Sequence, residues 1–423
     1  MMWTKPGGQP NPSSNGEALT SPADVWPTAE QQLLLQAALW SGDDAVAAWS
    51  EWTSRVDLME DHVDEGSFRL LPLVYRNLER LRLGGPLIAR LKGIYRYSWA
   101  KNIALFNRSQ SVLQNLHAAG INTIVLKGVA LSLLYYRDRG TRPMSDIDIL
   151  VPTRDAEKSL KCLTDQGWRK FDMREDGDLR YHWAATLVNG TDQQVDLHWH
   201  ALHECVYAEA DDDFWDGAVP LEMSGFTTRA LNPADNLLHV ISHGIHYNIV
   251  SPIRWATDAA VIIRSSPNEL SWDRLLAQAR KRKLVLRVGT GLGYLHDHLK
   301  ISIPSEVLRS CRDRRPSIFE QTEFDLVRKP REEINDSIFG VWPLVIVEYR
   351  RITMGQRLWR RVLGFADYAR YRLALARRRE LVPVLLGRLP GKIRKVITRL
   401  NPKAVRVGQT TGKWSNSNWC EGK

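Results

Sequence analysis

The chain has 423 residues, 43% of them hydrophobic and 25% charged, with a formal net charge of +10, the profile of an ordinary soluble protein with core enough for two or three domains. No apolar run reaches the roughly 18 residues that a bilayer-spanning helix needs, and four scattered cysteines (Cys162, Cys205, Cys311, Cys420) without a C-x-x-C pair argue against a zinc knuckle and a disulfide scaffold, and read as free thiols. The charge is uneven: residues 350–400 hold about 15 Lys and Arg against about 2 acids, which leaves the rest slightly acidic and points any polyanion partner to the carboxyl-terminal end.

In chain order, residues 1–27 are rich in Pro, Gly, Ser and Asn and lack an apolar core, so a disordered leader is expected rather than a signal peptide, and a cytoplasmic location by default. Residues 28–120 read as helices, with apolar repeats at Leu33, Leu34, Ala37 and Ala38 and later at Leu105, Phe106, Val112, Leu113 and Leu116; Gly120 is the expected C-cap of the last. Over 121–231 the pattern becomes strand (121–126), helix (128–136), an Arg-rich loop, and a second strand carrying Asp146 and Asp148. A helix from Thr153 to about residue 166 then leads into a meander over 168–171, 180–188 and 194–200, with Asn189-Gly190 as hairpin turn. Residues 232–330 form a helical domain that Asn232-Pro233 opens, and 331–423 form a basic, Arg-rich region. There is no internal repeat and no coiled-coil heptad.

The segment Asp146-Ile147-Asp148-Ile149 alternates strictly, so its period of two aims both carboxylates at one face and both isoleucines at the core. Two acids so close repel each other unless a cation sits between them, which points to a divalent metal site. In 194–200, Asp196, His198 and His200 share one strand face, and a mixed sheet would carry Asp196 to the other two acids as a third carboxylate. His198 and His200 would there orient an acceptor or hydrogen-bond the acid, or simply pack. His239, His243 and His246 fall on one helical face, but without H-E-x-x-H or a Cys partner they read as packing residues.

Leu126-Lys127-Gly128, Arg142, Ser145-Asp146-Ile147-Asp148-Ile149-Leu150-Val151 and Val195-Asp196-Leu197-His198-Trp199, in that order, resemble the uncharacterised nucleotidyltransferase family of bacteria, a branch of the DNA polymerase β-like superfamily. The resemblance covers about residues 95–265, including 238–246 and 254–258. It implies an α/β (α+β) fold, a nucleotidyltransferase-like mixed sheet flanked by helices. It also implies that Asp146, Asp148 and Asp196 are catalytic and hold Mg²⁺, with Mn²⁺ as the alternative ion, and that Lys127, Gly128, Arg142 and Ser145 bind the nucleotide. Lys127-Gly128 stands where the wider superfamily has Gly-Ser, which puts catalytic competence in question but not phosphate binding. Arg137 and Arg139 share a loop with Arg142 and are alternative phosphate contacts.

The implied reaction moves a nucleoside monophosphate from an NTP to an acceptor hydroxyl of a small molecule, sugar, peptide or protein, in a setting of bacterial biosynthesis. The alternative is a catalytically degenerate nucleotide-binding scaffold that docks through its basic region. That region interleaves Arg357, Arg360, Arg361, Arg370 and Arg372 with Leu358, Trp359, Val362, Leu363, Phe365 and Tyr368. Such a basic amphipathic pattern fits peripheral membrane or protein contact better than RNA, a solvated helix face being the plain reading.

Overall fold

The computed structural model describes residues 25–61, 63–171, 179–190, 193–223, 225–248, 250–330, 333–334 and 341–381. The expected leader, apart from residues 25–27, lies outside these, as do Cys420 and the basic region past residue 381.

Thr28 opens the first helix, Ala29–Leu39, with a capping box in which Gln31 N–H donates to Thr28 Oγ1 (3.2 Å) and Thr28 N–H donates to Gln31 Oε1 (3.1 Å). Helices Gly42–Arg55 and Leu71–Arg80 follow, and then the 33-residue helix Pro86–Ala118, about 50 Å long at 1.5 Å per residue. Gly120 ends it at φ +72°, in the left-handed region that glycine enters without penalty.

Among the described residues, seven strands make one mixed sheet: β1 (Ile124–Leu126), β2 (Ile147–Leu150), β3 (Arg169–Lys170), β4 (Ala184–Asn189), β5 (Gln193–His198), β6 (Val219–Met223) and β7 (Phe226–Ala230), in the order β3-β4-β5-β2-β1-β7-β6. β2 runs antiparallel to β1 and parallel to β5, in a register that sets Asp148 beside Asp196. The fold class is thus the mixed α/β architecture that the residues imply.

Alternation splits the sheet cleanly. Val125, Ile147, Ile149, Val195 and Leu197 join one buried cluster with Leu105, Phe106, Val112, Leu113 and Leu116 of the long helix. Ile124, Leu126 and Leu150 point the other way, into a cluster shared with the amino-terminal helices and with helix Pro233–Gly244. Asp148 and Asp196 lie on this second face. Asn232 caps that helix, its Oδ1 accepting from Asp235 N–H at 3.1 Å, and Pro233 takes the first helical position.

Several boundaries differ from the sequence reading. β1 begins at Ile124, three residues later than expected, and Asp146 sits one residue ahead of β2. The expected helix over 128–136 is an α-helix, Lys127–Leu131, that widens into a π turn, Ser132–Tyr136. The hairpin β6–β7 was not expected at all: Pro220 argues against a strand, yet a sheet edge, where β6 lies, tolerates it. Beyond residue 341, helices Trp342–Ile352 and Leu358–Arg372 pack together through Val345, Tyr349, Tyr368 and Ala369, against Tyr181 of the turn before β4.

Candidate active site

Asp148 is buried, and its Oδ1 accepts from Lys127 Nζ at 2.7 Å and lies 3.1 Å from His198 Nε2. Asp196 is held from its own side of the sheet: Thr186 of β4 donates to its Oδ1 at 2.9 Å and Gln194 Nε2 at 3.1 Å. One ligand atom each from Asp148, Asp196 and His198 can be chosen so that all three lie within 4.8 Å of one another. The structure therefore assembles two of the three predicted carboxylates with a histidine. Asp146 stands next to them without being part of that triple, half-buried and close enough to raise the proton affinity of Asp196.

Crowding shows in the electrostatics. Burial opposes ionisation of Asp148, but Lys127 and the hydrogen bond from His198 overcome it and hold the carboxyl well below the usual range. Asp196 gets too little relief: burial, then Asp148 and Asp146, push it up to about 7 against Lys127 and the Gln194 hydrogen bond. Burial and Asp148 also raise Asp146, against Lys127, Arg254 and Arg142. Burial works against the Lys127 ammonium, yet Asp148, Asp196 and Asp146 outweigh it and strengthen its hold on the proton. For His198 burial dominates and lowers the imidazole, leaving it neutral at pH 7, the form that binds metals.

Lys127 reaches Asp148 from a backbone at φ +44°, a left-handed conformation uncommon for a side chain with a Cβ. Gly128, next in the chain, is a packing necessity: a Cβ there would meet Arg142 Nη1 at 2.9 Å and Met144 Sδ at 3.0 Å. The Arg142 guanidinium is itself buried in a two-pronged ion pair with Asp258, Nε to Oδ1 at 2.8 Å and Nη2 to Oδ2 at 2.9 Å, and Tyr136 Oη donates to the same carboxylate at 2.7 Å. Ser145 is exposed beside Asp146. Of the alternative cations, Arg139 lies over the Phe106 ring at 5.3 Å and Arg137 is exposed.

The remaining histidines divide. His200 turns to Asp211, its Nδ1 2.7 Å from Oδ2, and leaves the site. His239 is buried with Nε2 3.0 Å from the Ala201 carbonyl oxygen, and burial, then the Lys127 charge, brings it down to about 3. His246 lies past the end of helix Pro233–Gly244, edge-on to His203 with ring centroids 4.5 Å apart. Among the described residues, the Asp148, Asp196 and His198 group is the one cluster with metal-ligand geometry.

Reading the sequence by face missed four residues that shape this site: Thr186, Gln194, Arg254 and Asp258. Arg254 Nη1 donates to the Pro143 carbonyl at 2.7 Å, and Asp258, one turn further along helix Arg254–Ser265, anchors Arg142. The i, i+4 spacing of Arg254 and Asp258 was the available signal; what they grip lies more than a hundred residues upstream.

The family described as uncharacterised nucleotidyltransferase matches residues 52–300, more than half of the chain. No curated protein matches it. Among solved structures, the antibiotic-resistance factor ANT(2'')-Ia is 16% identical, covers 47% of this chain and 99% of its own, and has a TM-score of 0.31. An antigenic nucleotidyltransferase-like protein from Paracoccidioides brasiliensis is 17% identical over 49% of this chain and 95% of its own, with a TM-score of 0.30. A tRNA-processing enzyme is 15% identical over 73% of this chain and 92% of its own, with a TM-score of 0.21. Likenesses this loose carry no functional weight.

Proposed function

The chain belongs to the uncharacterised nucleotidyltransferase family, and on that premise we propose that it moves a nucleoside monophosphate from an NTP to an acceptor hydroxyl. The observation that carries the reading is the meeting of Asp148, Asp196 and His198, with ligand atoms within 4.8 Å, beside the Lys127 ammonium.

The donor set fits a divalent cation: two carboxylates that repel each other and one neutral imidazole. Mg²⁺ suits the oxygens and Mn²⁺ accommodates the nitrogen as well. Asp148, Asp196 and His198 would hold the ion, with Asp146 adding charge from the side; when bound, it supplies neutralisation of the phosphate charge and alignment of attacking and leaving oxygens.

The chain's own residues do the rest. Lys127, which here neutralises Asp148, is placed to pair with a phosphate once a cation takes over that carboxylate. Ser145, exposed at the same edge, offers a hydroxyl to the nucleotide. Arg142 and Gly128 serve by position, the guanidinium fixing the loop that carries Asp146 and the glycine leaving room for it. Asp196, whose carboxylate Thr186 and Gln194 orient through Oδ1, takes the acceptor proton. The acceptor oxygen then forms its bond to the α-phosphorus as the bond to the bridging oxygen breaks, and pyrophosphate leaves with the electron pair.

Calorimetric titration of the four NTPs with Mg²⁺ or Mn²⁺, followed by pyrophosphate release in the presence of candidate acceptors, tests this. The expected result is metal-dependent binding of a preferred NTP and turnover that Asp148→Asn lowers by about 10³-fold or more. Binding without pyrophosphate release across a broad acceptor panel would favour the nucleotide-holding scaffold. No binding by folded protein would overturn both readings.

A further inference from the structure

We propose that the amino-terminal half of helix Leu358–Arg372 is a docking face for an anionic lipid surface. Leu358, Trp359, Val362 and Leu363 are 73%, 54%, 67% and 68% exposed, large apolar side chains packed into two turns. At 100° per residue their positions, i, i+1, i+4 and i+5, fall on one arc of about 140°. Arg360 and Arg361 fall about 60° beyond its two edges and flank the stripe, while Arg357 is the N-cap residue ahead of the helix.

The two halves of this helix behave differently. The carboxyl-terminal half is fastened: Tyr368 and Ala369 are buried, Arg372 pairs with Glu348, and Arg378, just beyond, pairs with Asp367. Arg372 and Arg378 are therefore already neutralised, and Arg370 turns to the Leu375 carbonyl at 3.3 Å. The first half is more open: Leu358 to Arg360, Val362 and Leu363 are exposed, and Tyr349 meets the helix at the Arg361 carbonyl, to which its Oη donates at 2.7 Å, and at the Phe365 ring. Among the described residues none of Arg357, Arg360 and Arg361 has a carboxylate partner, and Arg360 lies over the Trp359 ring at 5.2 Å.

Charge and shape together name the occupant. An apolar stripe that includes a Trp and is edged by unneutralised guanidiniums matches a headgroup layer, where the stripe sinks to the acyl boundary and the arginines meet phosphates. A nucleic acid would use the arginines but leave the four apolar side chains in water. The contact would be peripheral, because among the described residues no helix is long and apolar enough to cross a membrane.

The test is co-sedimentation of the full chain with vesicles of phosphatidylcholine alone and of phosphatidylcholine with phosphatidylglycerol, at low and high salt. The wild type is expected to bind the anionic vesicles, more weakly as salt rises, and to leave the neutral ones. Trp359→Ser with Leu363→Ser should weaken binding by about tenfold or more. Arg360→Gln with Arg361→Gln should weaken it and flatten the salt dependence. Trp359, Arg360 and Leu363 are exposed and Arg361 is half-buried without a carboxylate partner among the described residues, so thermal melting should move little in either variant, which separates lost docking from lost fold.

Failure of the wild type to bind anionic vesicles would overturn the proposal. So would undiminished binding by the Trp359→Ser/Leu363→Ser variant, which would move the contact to another basic stretch. Dimerisation in solution that the same variant abolishes would overturn it too, because a second copy would then be the occupant of this face. None of these outcomes depends on nucleotide transfer.

Discussion

Asp148 and Asp196 are neighbours in paired strands and meet opposite fates, because Lys127 and His198 bond Asp148 directly while Lys127 reaches Asp196 only through space. A carboxyl raised to about 7 in the fold keeps a proton that the unfolded chain has given up. Its contribution to stability is therefore complete below the ordinary carboxylate range and is lost as pH rises through about 7. A divalent ion reverses the preference, since it binds the deprotonated pair and competes with that proton. The gain in melting temperature on adding Mg²⁺ or Mn²⁺ should consequently be larger at about pH 8 than at about pH 5.5, and Asp196→Asn should remove the difference. Equal gains at the two pH values, read by thermal melting, would mean that Asp196 does not share the ion.

Between β1 and β2 the loop over 137–144 has little apolar content of its own, and the long helix holds it. Asn102 donates from Nδ2 to the carbonyls of Arg139 (2.6 Å) and Arg142 (2.8 Å), while its Oδ1 accepts from Met144 N–H at 3.2 Å. Tyr95 Oη donates to Asp138 at 2.9 Å and Arg76 pairs with the same carboxylate. One buried amide thus satisfies three backbone groups just ahead of Ser145 and Asp146. Asn102→Ala should cost about 2 kcal/mol in a denaturant titration, because those groups are left buried and unpaired. It should also weaken nucleotide binding more than an equally destabilising change elsewhere in the core; a purely global loss would show that the loop is fixed by its other contacts.

Across the whole molecule, buried ion pairs tie segments that are far apart in sequence. Arg351, 2% exposed, pairs with Glu323 and donates to the carbonyls of Arg282 and Lys283, so the carboxyl-terminal helices are locked to the helical body. Arg351→Met leaves Glu323 buried without its counter-charge and should cost about 3–5 kcal/mol. The same change should open the chain near residue 330 to limited proteolysis, whereas Arg351→Met with Glu323→Leu should recover much of the stability. If the double variant is no better than the single, the pair is not what holds these helices.

The sequence by itself determined the sheet's two faces, since a period of two in 146–150 and 194–198 leaves no choice of which side chains go to the core. It also determined the caps at Gly120 and Asn232, because a cap acts on the backbone groups within a turn of it. Only the tertiary structure decided that His198 joins Asp148 and Asp196 while Asp146 stands just outside their grouping, for that depends on the parallel register of β2 with β5. It alone decided that Arg142 is taken by Asp258, and that β6 and β7 extend an edge where Pro220 costs no hydrogen bond. Such pairings join residues tens to more than a hundred positions apart, and local propensity carries no term for a partner at that distance.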